Sequence, residues 1–557
     1  MPGKKVNRLL LIASIISLIY IAAINYFFGT YFDTYESFIN SIVLQECAAP
    51  ITNNFFVPQW FGVFPLISDL SSAFPQAHIY ALLYTIINTL ILGVLIFVFM
   101  IIYNKNKNLV FTSLAGLFSV VTFTCCIVYV NNHRAAYFSI FAALLLLYLI
   151  RYHNIPRYYL GLSILLLGIG IVSRLEIAVI TLLIASVFVF LFNRKLFKTT
   201  TILLLTSISL YSYYLIYQSS NHPDHKLILK AEHEFFDRMS IKAEKNDSSY
   251  YKLQAMNWFI RDDEVYDIDD YQILMEERSL IEYFKSSDFR AIYVGKFDDL
   301  LYDLEKYQWL VFLTLYITSH IVIVNLFGKN KQRSIAYKTL LFAGFLLTLP
   351  VLFNVYLVFP YSVAISICVS MCVLYFIYIS EKNDSSVHGK INLSFIFAFL
   401  ILSSIFYFKE VAGFEADNFK KAFSVRKIKE NFANSPENKT IVFAHGFDFT
   451  NYPSKLFSDL HAPKIKHYNL DFYLFHVFDF YKKHNRPFFG EDLPYLSERI
   501  SKCANDSSIV LISQDGYNQF LKEYLKNIHD MDIEFRHINT GIKEYALKPF
   551  YVKCSNC

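Results

Sequence analysis

Charged side chains at the ends of long apolar stretches are the candidates for chemistry in this chain. An arginine holds a phosphate through paired, charge-assisted hydrogen bonds, and a carboxylate accepts the proton of a hydroxyl that is to react. Carboxylates and arginines gathered at one surface would suit a substrate that carries both groups. His133 is a further candidate for substrate contact, beside five residues of the two main types: Asp33, Glu36, Arg134, Arg174 and Glu176.

The elements that position these residues follow from the composition. Of the 557 residues, 55% are hydrophobic and 17% are charged, whereas a soluble domain usually has about 25% charged residues. The net charge of +5 is too small to indicate nucleic-acid binding. A bilayer core about 30 Å thick needs roughly 20 apolar residues in a helix. This criterion predicts about eleven spans, near 9–28, 79–103, 109–130, 136–151, 158–173, 176–193, 199–217, 309–328, 337–357, 361–380 and 391–408.

The stretch from 158 to 193 predicts two short helices rather than one. A single helix of that length would be about 54 Å long, nearly twice the thickness of the bilayer core. The polar run Ser173-Arg174-Leu175-Glu176 interrupts the apolar residues near the middle. We therefore expect a hairpin with this run at its tip.

Basic residues predict the orientation of the bundle, because Lys and Arg in short connections stay in the cytoplasm. They concentrate at the N-terminus and in alternate connections, whereas the opposite short turns contain only Arg134 and Arg174. The sequence thus predicts a polytopic α-helical membrane protein with its N-terminus inside and its C-terminus outside. Residues 1–408 would form the transmembrane domain.

Three long segments are then predicted to be extracytoplasmic: 29–78, 218–308 and 409–557. The first suits short interface helices, and the second is strongly acidic. The third reads as an α/β domain, with apolar strand patterns at 440–444 and 508–512, a helical pattern at 517–528 and an alternating strand pattern at 533–538. No G-x-S-x-G nucleophile elbow is present, which argues against hydrolase chemistry in this domain.

This layout resembles the GT-C superfamily of membrane glycosyltransferases, which includes protein O-mannosyltransferases and aminoarabinose transferases. The similarity lies in the N-in first helix, the acidic residues Asp33 and Glu36 early in a long first outer loop, the run Phe61-Gly62-Val63-Phe64-Pro65-Leu66, and the tip Ser173-Arg174-Leu175-Glu176. The acids of the family are commonly adjacent or one residue apart, whereas two residues separate them here.

The resemblance implies transfer of a sugar, with inversion, from a polyprenyl-phosphate carrier to a glycan, lipid or protein acceptor. Asp33 would be the catalytic base, with Glu36 as a second acid. Arg134 and Arg174 would stabilise the leaving phosphate, and Glu176 and His133 would contact substrate. No metal site is assigned, and a divalent cation stays open as a cofactor. The implied location is a bacterial inner membrane, with the active site and the C-terminal domain on the periplasmic or extracellular side.

Two other functions share parts of this pattern. An O-antigen polymerase or ligase also joins polyprenyl-linked glycans outside the membrane, but it does not need the early acidic pair. A transporter is the second alternative. A transporter is expected to have repeated halves and ionisable residues at the middle of the bilayer, and the sequence shows neither.

Overall fold

The three-dimensional structure is a computed structural model of the chain. Its N-terminal part is mostly helical, and its C-terminal part contains a mixed sheet. The residues that it describes are 3–27, 31–32, 63–74, 79–106, 129–130, 132–192, 194–221, 251, 334, 336–345, 432, 440–444, 467–469, 496–541 and 547–556.

Long apolar helices make up the N-terminal part. Within the described ranges, five of them are long and apolar enough to cross a membrane, as expected of a helical membrane protein. In chain order the helices are α1 (Gly3–Phe27), α2 (Phe64–Ala73), α3 (Ile79–Asn106), α4 (Asn132–Tyr152), α5 (Tyr159–Ser173), α6 (Leu175–Phe192) and α7 (Arg194–Asn221). The five candidate spans lie in α1, α3, α4, α6 and α7. The predicted total of eleven stays a prediction.

The predicted hairpin is confirmed. Helix α5 ends at Ser173 and α6 begins at Leu175, so Arg174 alone separates them. Its backbone is extended, with φ −162° and ψ 104°, and this conformation breaks the helix. Helix α5 has 15 residues and is therefore about 22 Å long, shorter than a bilayer core of about 30 Å.

The consecutive helices α4, α5, α6 and α7 run antiparallel to one another, which defines two ends of the bundle. We call the end at Ser173–Glu176 the tip end and the opposite end the base. Ser163 Oγ of α5 donates to the carbonyl of Ala143 in α4 at 2.9 Å, and nearer the tip Gly170 of α5 lies against Ala136. Residue numbers rise in α5 as they fall in α4. Helix α4 therefore begins at the tip end.

Contacts of α1 extend this assignment to α1 and α3. Tyr159, which begins α5 at the base, donates its hydroxyl to Asn7 Oδ1 of α1 at 2.9 Å. Helix α1 therefore begins at the base and ends at the tip end. Further along α1, Ser17 Oγ donates to the carbonyl of Thr89 in α3, and Gly93 of α3 lies against the earlier residue Ser14. Helix α3 therefore begins at the tip end.

A short parallel ladder joins two distant parts of the chain at the tip end. Strand β1 (Tyr31–Phe32) follows α1, and strand β2 (Tyr129–Val130) precedes α4. Tyr31 pairs with Tyr129 and Phe32 with Val130. The predicted third span, 109–130, is therefore wrong at its last two residues, which are extended and paired. Its earlier residues lie outside the described ranges.

The described part of the first predicted outer loop includes a short helix, α2. Pro65 lies in its first turn, where the missing N–H of proline costs no hydrogen bond. Ile67 and Ser71 are buried on one side, and Ser71 Oγ donates to the carbonyl of Ile67 at 2.9 Å. Leu66 and Leu70 are exposed on the other side. A helix thus forms in the segment 29–78, where short interface helices were expected, and its location at a membrane interface stays a prediction.

The C-terminal part contains a five-stranded sheet in the order β4-β3-β5-β7-β6. Strand β3 is parallel to β4 and β5, whereas β7 is antiparallel to β5 and β6. Every residue of β5 is buried, as its continuous apolar run requires. The elements are β3 (Thr440–Phe443), β4 (His467–Asn469), α8 (Leu496–Asn505), β5 (Ile509–Ser513), α9 (Asp515–His529), β6 (Ile533–His537) and β7 (Lys548–Cys554).

Candidate functional site

An ion pair marks the hairpin tip. Arg174 Nε lies 3.3 Å from Glu176 Oε2, and the two side chains are 17% and 32% exposed. The backbone of Arg174 is bonded to both helices, because its N–H donates to the carbonyl of Gly170 and its carbonyl accepts from the N–H of Ala178. The tip is thus held on both sides, and the guanidinium lies at a fixed place between α5 and α6.

The carboxylate of Glu176 can accept a further hydrogen bond. Its Oε2 atom is buried and accepts no hydrogen bond, as far as the described part of the chain extends. Glu176 lies in the first turn of α6, where the partial positive charge of the helix N-terminus stabilises a negative side chain. A carboxylate that is held in this way can orient the arginine and accept a bond from a substrate hydroxyl.

Helix α7 brings a phenol to the same pair. Tyr211 is close enough to both Glu176 and Arg174 for their charges to act on its hydroxyl. The antiparallel packing of α6 and α7 explains the position. The rings of Phe190 in α6 and Phe197 in α7 are 5.1 Å apart near the base. Glu176 precedes Phe190 by the same number of residues as Tyr211 follows Phe197, so Glu176 and Tyr211 lie at the same level.

Close packing of α4 and α5 brings Arg134 to the level of the tip. A Cβ atom on Gly170 would lie 2.5 Å from Ile140 Cγ1 and 2.8 Å from the carbonyl oxygen of Ala136, so only glycine permits this approach. Arg174 follows Gly170 by about one helical turn, and Arg134 precedes Ala136 by two residues in the first turn of α4. The two arginines are therefore at the same end of neighbouring helices. The side chains of Arg134 and of the adjacent His133 lie outside the part of the structure that is described.

Asp33 and Glu36 also lie outside the described residues, but the β1–β2 ladder fixes the position of the backbone just before Asp33. Phe32, the residue before Asp33, pairs with Val130, which is two residues before the start of α4. The backbone that leads to Asp33 therefore lies beside the backbone that leads to His133. The sequence alone gives no sign of this pairing.

Two further tyrosines lie at the tip end. Tyr80 and Tyr84 are in the first turns of α3, and their hydroxyl oxygens are 3.4 Å apart in a buried position. Sequence reasoning missed these tyrosines and Tyr211. A signal was present for Tyr211, since it opens a run of four tyrosines between 211 and 217 in an otherwise apolar helix.

No group of three or more His, Cys, Asp or Glu side chains suited to a metal ion occurs among the residues that the structure describes. Comparison with known proteins adds no assignment, because no family model, no curated protein and no solved structure matches this chain. The side chains and backbone of the tip end are therefore the basis for inferring function.

Proposed function

We propose that the protein is an inverting membrane glycosyltransferase that takes a sugar from a polyprenyl-phosphate donor. The proposal rests on the position of three segments of the chain. The β1–β2 ladder and the Gly170 contact bring three segments to one end of the bundle: the segment before Asp33, the first turn of α4 with Arg134, and the tip with Arg174. The resemblance implies that the first of these segments holds the base and that Arg134 and Arg174 bind the phosphate.

In the proposed reaction, Asp33 accepts the proton of the acceptor hydroxyl. The hydroxyl oxygen then bonds to the anomeric carbon from the face opposite the phosphate, and the bond between that carbon and the phosphate oxygen breaks. Polyprenyl phosphate leaves with the electron pair. Arg174 and Arg134 stabilise the negative charge that grows on the phosphate, an effect typically worth about 10²–10³ in rate for one donor.

Glu176 and Tyr211 support this role of Arg174. Glu176 Oε2 lies 3.3 Å from Nε of Arg174 and orients the guanidinium. The hydroxyl of Tyr211 is close enough for the charges of both residues to act on it. His133 contacts the acceptor or donor, and Glu36 is the second acid of the first loop. The lipid chain of the donor lies in the membrane and leaves the sugar phosphate at the tip end.

The proposal includes the full topology of eleven spans, with the N-terminus in the cytoplasm of a bacterial cell and the tip end outside. The directions of the helices support it, because α1, α5 and α7 run from the base to the tip end, whereas α3, α4 and α6 run from the tip end to the base. Cys554 at the end of β7 is disulfide-bonded, which suits an oxidising extracytoplasmic compartment for the C-terminal domain.

A donor comparison tests the proposed function. The purified full chain in detergent is incubated with an acceptor extract and either a radiolabelled polyprenyl-phosphate hexose or the corresponding nucleotide hexose. We expect transfer from the lipid-linked donor and release of polyprenyl phosphate. Transfer from the nucleotide sugar alone would contradict the proposal, as would transfer that Arg174→Gln leaves unchanged.

A further inference from the structure

Exposed basic side chains surround the start of α1 and the turn from α4 to α5, at the base of the bundle. Three of them lie in the first two turns of α1, one in the last turn of α4 and one just before α5: Lys4, Lys5, Arg8, Arg151 and Arg157. None of the five forms an ion pair with any residue that the structure describes. Such a patch of unpaired positive charge attracts an anion.

The described helices supply no carboxylate that could neutralise this patch. Within the described parts of α1 to α7, the acidic residues are Asp69 and Glu176. Glu176 lies at the tip, and Asp69 lies in α2, which comes shortly before the tip-end start of α3. The counter-charge at the base must therefore come from outside these helices.

Hydrogen bonds between α1 and the start of α5 bring two of the arginines together. Asn7 Oδ1 accepts from the hydroxyls of both Tyr158 and Tyr159, the second at 2.9 Å. Arg8 follows Asn7 and Arg157 precedes Tyr158, so the two arginines flank this contact. Asn7 is exposed, and because its oxygen is occupied, its Nδ2 group can donate to an anion that the arginines hold.

An apolar surface adjoins this group on the side of the tip. Leu11 follows Asn7 by one turn of α1 and is 61% exposed, and Leu165 follows Tyr158 by two turns of α5 and is 51% exposed. Both helices run from the base to the tip end, so these leucines lie further into the bundle than the cations. The ring of Tyr158, 59% exposed, lies between them in height, as tyrosines at a membrane interface do. A ligand that matches this surface has an anionic head and an apolar tail.

We propose that the base binds an anionic phospholipid. Arg8 and Arg157 hold its phosphate through charge-assisted hydrogen bonds, the Asn7 amide adds a further donor, and an acyl chain lies along Leu11 and Leu165. A free phosphate would leave the apolar surface uncovered, and a neutral lipid would leave the arginines without a counter-charge. The inference does not depend on the proposed sugar transfer, because the site lies at the end of the bundle opposite the tip.

Native mass spectrometry tests the site on the full chain, purified in detergent and freed of copurified lipid. The probes are phosphatidylglycerol and phosphatidylcholine with identical acyl chains, and inorganic phosphate as the free anion. We expect phosphatidylglycerol to bind saturably and more tightly than phosphatidylcholine, with no competition by an equal concentration of phosphate. Its binding should also raise the melting temperature, since a ligand of the folded state stabilises that state.

Variants of the two arginines locate the binding. The double variant Arg8→Gln, Arg157→Gln should bind phosphatidylglycerol about twentyfold more weakly, at about fivefold for each basic residue near an anionic lipid. Neither arginine has an ion-pair partner in the described part of the chain, so the melting temperature without lipid should not change. Lys198→Gln is the matched control. It removes an exposed cation at the base of α7 and should leave binding unchanged.

Asn7→Asp gives a second test that keeps the contact between α1 and α5. The carboxylate still accepts from both tyrosines, but it loses the Nδ2 donor and places a negative charge beside the phosphate. This variant should also lose the preference for phosphatidylglycerol. Equal affinity for phosphatidylcholine, competition by inorganic phosphate, unchanged binding by the double arginine variant, or an equal loss in Lys198→Gln would overturn the proposal.

Discussion

Arg174, the one residue between two antiparallel helices, forms an ion pair with Glu176 in the first turn of the second helix, with Nε and Oε2 3.3 Å apart. Neither side chain is fully buried, so the pair contributes little to folding, typically about 0–1 kcal/mol for exposed pairs. Its geometry instead holds the guanidinium at the tip end, on the same level as the first turn of α4. This arrangement leads to the first prediction.

Arg174→Gln should lower kcat by about 10²–10³, the usual loss when one donor to a developing negative charge is removed. The melting temperature should change little, because the ion pair is partly exposed. Arg174→Lys should retain more activity than Arg174→Gln but less than the wild type, since an ammonium keeps the charge and loses the planar fork. Initial rates with the polyprenyl-phosphate donor measure both variants.

Glu176→Gln provides the matched control for that prediction. It keeps the size of the side chain and removes the charge that orients Arg174, so its rate loss should be smaller than that of Arg174→Gln. If Glu176→Gln were the more damaging of the two, the carboxylate rather than the guanidinium would contact the reacting groups. The roles of the pair would then have to be exchanged.

Gly170→Ala should destabilise the bundle. Its Cβ would lie 2.8 Å from the carbonyl oxygen of Ala136, a backbone atom that cannot turn away, and overpacking of this kind typically costs about 1–3 kcal/mol. Gly168→Ala in the same helix meets nothing within 4 Å and should be neutral or slightly stabilising. Thermal unfolding in detergent compares the two. Equal melting temperatures would mean that α4 and α5 do not approach as closely as described.

Local patterns in the sequence were sufficient for several elements. The hairpin tip was predictable because a polar run interrupts a stretch too long for one span. Strands β3 and β5 have continuous apolar runs of strand length, and β6 alternates, so all three were predicted and are confirmed. Strand β7 was not predicted, because Lys548–Cys554 mixes charged, aromatic and apolar residues and becomes a strand only by pairing between β5 and β6.

The site depends on contacts that are distant in the sequence, and these were not predictable. Phe32 and Val130 have no pattern that indicates a shared ladder. Gly170 looks like an ordinary glycine in an apolar helix until the approach of Ala136 is known. Tyr211 comes to the level of Glu176 only because α6 and α7 are antiparallel in one particular register. Hydropathy identifies helices, but it does not specify which faces meet.

Cys503 should be unreactive in the folded protein. Burial raises the pKa of its thiol to about 12, and the charge of Asp506 adds to this effect. At pH 8 the thiolate fraction is therefore about 10⁻⁴, well below that of an ordinary thiol of pKa about 8.5. Maleimide labelling should be slow in the native state and should become fast after denaturation. Rapid native labelling would contradict the buried position of Cys503 in α8.

The same burial makes Cys503 unsuitable for testing orientation by thiol labelling. Gln519→Cys on the exposed side of α9 and Arg151→Cys at the base of α4 are better placed, in a chain whose other cysteines are replaced by serine. An impermeant thiol reagent added to intact cells should label residue 519 and leave residue 151 unlabelled. The reverse pattern would contradict the predicted topology.

The central claim is that Asp33 is the base of a sugar transfer at the tip end, and Asp33→Asn tests it most directly. The amide keeps the size of the carboxylate and removes proton acceptance, which typically costs about 10²–10⁴ in rate. Asp269→Asn, in the acidic segment 218–308, is the control and should be close to wild type. The account predicts that turnover of the polyprenyl-phosphate donor by Asp33→Asn falls at least about a hundredfold, with the melting temperature unchanged. Turnover above about a tenth of the wild-type value, outside that range, would contradict it and would transfer the role to Glu36 or Glu176.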